Sequence, residues 1–387
     1  MTVRIGYLVS HPIQYYAPLF RELARHCDLT VFYAHRQTAA GQADAGFGVA
    51  FDWDIDLLSG YESRFLDNVA RQPSTDRYFG CDTPGIAAEI EGGRFDAFVV
   101  PGWALRSYWQ AVQACRRFNV PVLVRGDSQL GSQRRRAVRL AKSVLFPWLL
   151  RRFDGFLYVG QRNRAYLEHY GVPGDRLFFS PHCVDNDAFA QASARARAAA
   201  PRRGPGDRQR ILFVGKLIDR KHPADLLRAA AAMSTVPVEV AFAGSGELEG
   251  SLRQIARDAG IAATFLGFRN QSELPEVYAS ADVLVLPSDG LETWGLVVNE
   301  AMACGVPAVV SDAVGCGPDL VDPGRTGAIF PLGDVPALAA AVTTVLALDP
   351  DTVRRHLADK MNSYSPRAAA LAVVAAATTL GRGTRIQ

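Results

Sequence analysis

The chain has 387 residues, of which 49% are hydrophobic and 21% charged, and its formal net charge is +3. That length exceeds one ordinary hydrophobic core and points to two domains, and the composition is that of a soluble globular protein. So small a charge does not by itself argue for nucleic acid, for which local clustering matters more.

The N-terminus, MTVRIGYLVSHPIQ, has an apolar strand without a charged leader or cleavage site, so no signal peptide is expected. VRIGYLVS is a strand, YAPLFRELARH a helix and DLTVFYAH a second strand. FDAFVVPG and VPVLVRGD are strands flanking the helical SYWQAVQACRRF, and FDGFLYVG is a strand before the helix NRAYLEHYG. Residues 191–209, rich in Ala, Arg, Pro and Gly, read as a hinge linker after a first domain of residues 1–190. The alternation then restarts: RILFVGK, VEVAFAGSG, TFLGF, DVLVLPS, PAVVSD and GAIFPLG are strands separated by helical runs, placing a second domain at 210–365. The Ala-rich 366–387 is expected to be a helix packing back on the first domain. Its apolar run AAALAVVAAATTL, 13 residues, is too short to span a bilayer. Such alternation implies α/β architecture, two doubly wound Rossmann-like domains facing a cleft, with ligands outside the carboxyl ends of the strands.

Six cysteines, at 27, 81, 115, 183, 304 and 316, form no CxxC and no zinc-type spacing. They read as reduced, buried thiols of a cytoplasmic protein.

The chemistry concentrates in GLETWGLVVNEAMACGVP, residues 290–307. After the strand DVLVLPS, a helix is expected from about Trp294 to Cys304, stopping at Gly305 and Pro307. Its N-terminus would offer backbone N–H groups to a phosphate, with Gly295 permitting close approach. Glu292 at the turn and Glu300 along the helix can accept hydrogen bonds from sugar hydroxyls, or can be solvated surface residues. In FVGKLIDRKHP, Lys216 follows a strand and Lys221 comes five residues later. The pair can neutralise a diphosphate, or can belong to a solvated basic loop.

VGKLIDRKH, FAGSGELEGSL, FLGFRNQSEL, ADVLVLPS, ETWGLVVNEAMACGVPAVVSD and the GxG of VGCGPDLV stand in the order found in one family. Over roughly residues 205–335, and more loosely before them, the chain resembles the family-four retaining glycosyltransferases of the GT-B fold. The resemblance implies a nucleotide-sugar donor, retention of configuration, no cofactor and no metal. It implies that Gly215, Lys216 and Lys221 line the donor diphosphate, that Glu292 contacts the donor sugar near the reacting carbon, and that Glu300 binds the ribose. Trp294, Gly295 and Leu296 would touch sugar and phosphate through their backbones, with Phe268 and Arg269 beside the base.

Three features depart from the family. Lys216 replaces the usual arginine, giving a point charge in place of a bidentate fork. The first loop is SHPIQYYAPLF rather than glycine-rich, so His11, Gln14 and Tyr15 would face the cleft, with His11 on a substrate or capping the first helix. Asp127, after PVLVRG, stands where many members carry histidine; it can hold a sugar hydroxyl, accept the acceptor's proton, or be a salt-bridged loop residue. His182, where asparagine is more usual, is expected to shape the cleft.

Residues 133–153 combine Arg134, Arg135, Arg136, Arg139, Lys142, Arg151 and Arg152 with Leu140, Val144, Leu145, Phe146, Trp148 and Leu149. This basic amphipathic stretch can lie on an anionic membrane surface, or pack its apolar side on the sheet with its cations solvated. Pro147 is expected to interrupt it. No nucleic-acid module accompanies the charges.

The expected protein is therefore a glycosyltransferase serving a glycan or lipid-linked acceptor, cytoplasmic and peripheral to the membrane. A non-catalytic sugar-nucleotide sensor is the alternative. A nicotinamide dehydrogenase has only the glycine pattern of FAGSGELEG, with the wrong third-glycine spacing and no suitably placed acid.

Overall fold

The computed structural model describes residues 2–36, 52–132, 136–200, 206–233 and 236–384. They form two compact units: Met1–Thr38, Asp56–Cys183 and Ser365–Gln387 make the first, Ala39–Ile55 and Val184–Tyr364 the second.

The first unit is built on β1 (Arg4–Val9), β2 (Asp28–Tyr33), β3 (Glu62–Phe65), β4 (Ala97–Val100), β5 (Val122–Gly126), β6 (Gly155–Tyr158) and β7 (Leu177–Phe179). They lie in the order β3-β2-β1-β4-β5-β6-β7, every pair parallel. Continuous apolar strands suit a sheet covered on both faces. Ile5, Tyr7 and Val9 of β1 join one buried cluster, while Leu8 joins the other with Phe98 and Val100. The Pro366–Thr384 helix closes the first of these faces: Ala369, Ala370, Val373, Ala376 and Ala377 are fully buried there with Leu19 and Leu23 of the Tyr16–His26 helix.

The second unit contains β8 (Gln209–Val214), β9 (Val238–Ala243), β10 (Ala263–Gly267), β11 (Val283–Leu286), β12 (Ala308–Ser311) and β13 (Gly327–Phe330). Their order is β10-β9-β8-β11-β12-β13, again wholly parallel. The chain winds one way from β8 to β10, then restarts at β11 on the other side of β8. Such a reversal opens a crevice between the two carboxyl ends.

Four expectations need correction. Residues 191–199 are not a linker: they belong to the Asn186–Ala199 helix of the second unit, and the first unit's main segment ends at Cys183. Asp185 caps this helix by accepting from Ala188 N, and Phe189 and Ser193 are its buried anchors. Alanine favours helix, and two burying positions suffice to dock one. Residues 201–205 of the expected hinge lie outside the described residues. The helix at Glu300 begins at Leu296, two residues later than expected, because Gly295 is left-handed (φ 100°, ψ 63°). Pro147 does not end its helix, which runs Arg136–Leu150. The lost N–H falls in the last turns, where buried Phe146 and Leu150 hold the backbone on either side. His11 does not cap the first helix, whose N-cap makes no side-chain bond. Tyr16 N donates instead to Ile13 O at 3.0 Å.

All six cysteines are buried, and no disulfide occurs among the described residues. Nor, among these, is any helix long and apolar enough to cross a membrane.

Candidate functional site

In the second unit the loops leaving β8, β9 and β11 converge. The first two press backbone to backbone. Gly215 N donates to Ala243 O and Leu217 N to Ser245 O, both at 2.9 Å. A Cβ on Gly244 would lie 2.0 Å from Gly215 O, and one on Gly246 2.4 Å from Leu217 O. Glycine is therefore required at both positions. The Asp219–Lys221 turn follows, His222 adopts a left-handed conformation (φ 49°), and Pro223 opens the next helix. That turn carries Lys221 inward, leaving it buried.

The loop after β11 is fixed on every side. Asp289 N donates to Arg220 O, Leu291 N to Asp289 Oδ1 and Gly315 N to Glu292 O, each at 2.9 Å. Cys316 N reaches Trp294 O at 3.0 Å, and Trp294 Nε1 donates to Asn299 Oδ1 at 2.8 Å. Buried Trp294 thus anchors the loop, and Gly295 turns it into the helix.

Across these loops Lys221 Nζ forms an ion pair with Glu292 Oε2. Lys216, near Lys221 and Arg220, has its ammonium pKa lowered by burial and then by these cations. Glu300 is buried, accepting from Tyr278 Oη at 2.7 Å and Gln271 Nε2 at 3.4 Å. Burial pushes its carboxyl up to about 7 against the lowering effect of those hydrogen bonds.

Gln271 belongs to the loop that leaves β10 through Phe268 and Arg269. Arg269 Nη1 pairs with Glu273 at 2.8 Å, while its Nε is buried without a hydrogen-bond partner. Residues 52–54 brace this loop: Asp52 O accepts from Asn270 Nδ2 at 2.8 Å, and Asp54 accepts from both the amide and the hydroxyl of Ser272.

The first unit carries its expected residues past the carboxyl ends of β1, β5 and β7. His11 Nδ1 lies 3.0 Å from Ser10 Oγ. Burial, with His35 adding and Asp76 opposing, pulls its pKa to about 4, so the ring is neutral at neutral pH. Gln14 is half-buried in the same loop. The Tyr15 ring meets buried His182 edge-on, centroids 6.0 Å apart. Burial and then Arg125 hold His182 well below its ordinary pKa. Arg125 is itself buried and donates to Pro181 O at 2.8 Å. Beside it, Asp127 adds to burial in raising the phenol pKa of Tyr15.

The structure therefore joins Lys221 to Glu292 and sets Gly215, Lys216 and Gly295 around them, with Glu300 bound separately by Gln271 and Tyr278. Tyr278, Asn299, Gly315 and Asp54 were not singled out from the sequence. Asn299 and Gly315, like Gln271, lie within recognised motifs; Tyr278 and Asp54 do not, and Asp54 acts on a residue 218 positions away, with no local signal.

Residues 196–366 match the family model described as glycosyl transferases group 1. The chain carries a group 1 glycosyltransferase domain. It is 36% identical over 202 residues to the D-inositol 3-phosphate glycosyltransferase of Mycolicibacterium gilvum, covering 51% of this chain and 45% of the relative. It is also 36% identical over 205 residues to a GDP-mannose-dependent alpha-(1-6)-phosphatidylinositol monomannoside mannosyltransferase of Mycolicibacterium smegmatis, covering 50% and 53%. The chain thus spans about half the length of these curated relatives. Among solved structures, a glycosyltransferase from Rickettsia africae aligns with TM-score 0.70 at 12% identity over 98% of both chains. Anabaena Alr3699/HepE in complex with UDP aligns with TM-score 0.71 at 15% identity, covering 98% of this chain and all of that one. Those likenesses show the fold, GT-B, with its two parallel-sheet α/β units.

Proposed function

We propose that this protein is a retaining glycosyltransferase that moves a sugar from a nucleoside-diphosphate donor to a hydroxyl of a glycan or lipid-linked acceptor, in cell-surface polysaccharide or glycoconjugate assembly. The observation that carries this reading is the Lys221–Glu292 pair at the β8/β11 reversal, with Glu300 buried on the adjoining helix.

A buried ion pair is costly to break unless each charge finds a new partner. A diphosphate supplies one for Lys221, assisted by Lys216 and the backbone amides at Gly295 and Leu296. Glu292 is then released to the donor sugar's hydroxyls. Glu300 takes the ribose diol, and Phe268 and Arg269 flank the base, where the unpartnered Arg269 Nε offers a donor. The bond between the anomeric carbon and the diphosphate breaks, and the diphosphate leaves with the electron pair. The acceptor oxygen attacks from the same face and gives its proton to the departing phosphate. Lysines neutralise the leaving charge, so no metal is required in this scheme. In the first unit, His11, Gln14, Tyr15, Asp127 and His182 bind the acceptor. Neutral His11 serves as a hydrogen-bonding group, and Asp127 accepts a hydrogen bond from the attacking hydroxyl and orients it while its proton passes to the departing phosphate.

Thermal stabilisation by UDP, GDP, dTDP, ADP and their sugars tests the donor site. A selective shift is expected, lost in Lys221→Ala and Glu300→Ala. In Glu292→Gln, Lys221 no longer has a competing carboxylate: nucleoside diphosphate should bind more tightly while transfer falls roughly 100-fold. Asp127→Asn should lose turnover and keep donor binding. Donor binding without transfer or donor hydrolysis would instead favour a sensor.

A further inference from the structure

The Arg136–Leu150 helix carries two apolar faces. Phe146 and Leu150 are buried, with the Phe146 ring 5.3 Å edge-on from Trp103 and 5.2 Å from Tyr170. That anchoring sets the helix's rotation. It leaves Val144, Leu145 and Trp148 on the outside, 71%, 64% and 60% exposed, in a stripe at helical spacing. Nothing in the core requires these three side chains. Large apolar groups concentrated on one exposed face mark a surface meant to be covered.

The surrounding charge says by what. Residues 128–153 hold seven Lys and Arg and no Asp or Glu. Arg134 and Arg135 among these lie outside the described residues. The Arg152 guanidinium stacks 4.5 Å from the Trp148 ring, so cation and indole stand together at the edge of the stripe. A second copy docking isologously would bring Arg151 and Arg152 against the same cations of its partner, which disfavours self-association. An apolar stripe with an indole, in a segment whose charged residues are all cations, matches the boundary between acyl chains and anionic headgroups.

We propose that this face of the helix docks the protein on an anionic lipid bilayer. The docking is independent of the donor chemistry and holds whichever sugar is transferred. Val144, Leu145 and Trp148 enter the headgroup–acyl boundary, and Arg151 and Arg152, just past the helix end, meet the headgroups. Each cation near such a surface raises partitioning about fivefold, and each large apolar side chain withdrawn from water contributes roughly tenfold or more.

Co-sedimentation of the full chain with phosphatidylcholine vesicles, with and without phosphatidylglycerol, tests this. Binding is expected only to the anionic vesicles, falling steeply with salt and blue-shifting the tryptophan emission. Trp148→Asp and Leu145→Glu should each cut binding roughly tenfold or more. Because both sites are exposed, melting without vesicles should be unchanged. Arg151→Glu with Arg152→Glu should reproduce the loss. No binding at low salt, equal binding to neutral vesicles, or binding undiminished in Trp148→Asp and Leu145→Glu would overturn the proposal. So would a stable dimer that Trp148→Asp dissociates.

Discussion

At Glu300, burial and hydrogen bonding oppose each other. The carboxyl is buried, yet Tyr278 and Gln271 both donate to it. Its pKa rises from 4.5 to about 7. Between those values the folded protein holds a proton that the unfolded chain has released, so this group's contribution falls as pH rises and stays low above about 7. Glu300→Gln should therefore raise stability by about 2–3 kcal/mol near pH 8 and change it little near pH 4. Thermal melts at the two pH values check this; destabilisation at the higher pH would mean the hydrogen bonds outweigh burial. The same variant should weaken donor binding, because a ribose diol needs a charged acceptor. His11 has the opposite dependence: lowered from 6.5 to about 4, it contributes stability that is lost as pH falls through that interval.

Among the elements, the loop between β11 and the Leu296–Ala303 helix depends on a second loop behind it. Gly315 donates to Glu292 O, and a Cβ on Gly315 would stand 1.8 Å from Thr293 O. Backbone cannot yield as a side-chain tip can. Gly315→Ala should cost about 2–4 kcal/mol and displace Glu292, lowering transfer as well as stability. Gly324→Ala is the contrast: it is left-handed (φ 75°), but its Cβ would meet nothing within 4 Å. It should cost about 1–2 kcal/mol and leave transfer intact. Urea melts and rates on the two variants separate steric displacement from simple backbone strain. Element boundaries were legible where an apolar run met glycine, as at VGK and AGSG. They were not legible in ESRF, a four-residue edge strand with half its positions exposed, or in LFF, too short for a period to show.

For the whole molecule, the return of the chain to the first unit matters most. The Pro366–Thr384 helix supplies one wall of that unit's core, with Val373 fully buried against residues from β1, β4 and the first helix. Val373→Asp buries an unpaired carboxylate and should destabilise the first unit by about 4 kcal/mol or more. In calorimetry, a transition belonging to the first unit should fall while the second unit's stays in place. The helix was legible from alanine content and an apolar run. The Asn186–Ala199 helix, also rich in alanine, reads as a linker from residue 191 on because Gln191, Ser193, Arg195 and Arg197 alternate with its alanines and only Phe189 and Ser193 are buried.

The sequence by itself determined what is local: the strand and helix alternation of two doubly wound sheets, the glycines where loops must touch, and the motifs that bear Lys216, Lys221, Glu292 and Glu300. Periodicity encodes which face of an element is apolar, and turn chemistry encodes where it ends. Tertiary structure decided which of those residues meet. Lys221 and Glu292 are 71 positions apart and pair because the strand order reverses between β8 and β11. Glu300 finds Tyr278, 22 positions earlier, and Gln271, 29 earlier, only when their helices and loops pack. Partners separated along the chain leave no period to read, and burial, which sets the charge of Glu300 and of His11, exists only once the sheets are covered.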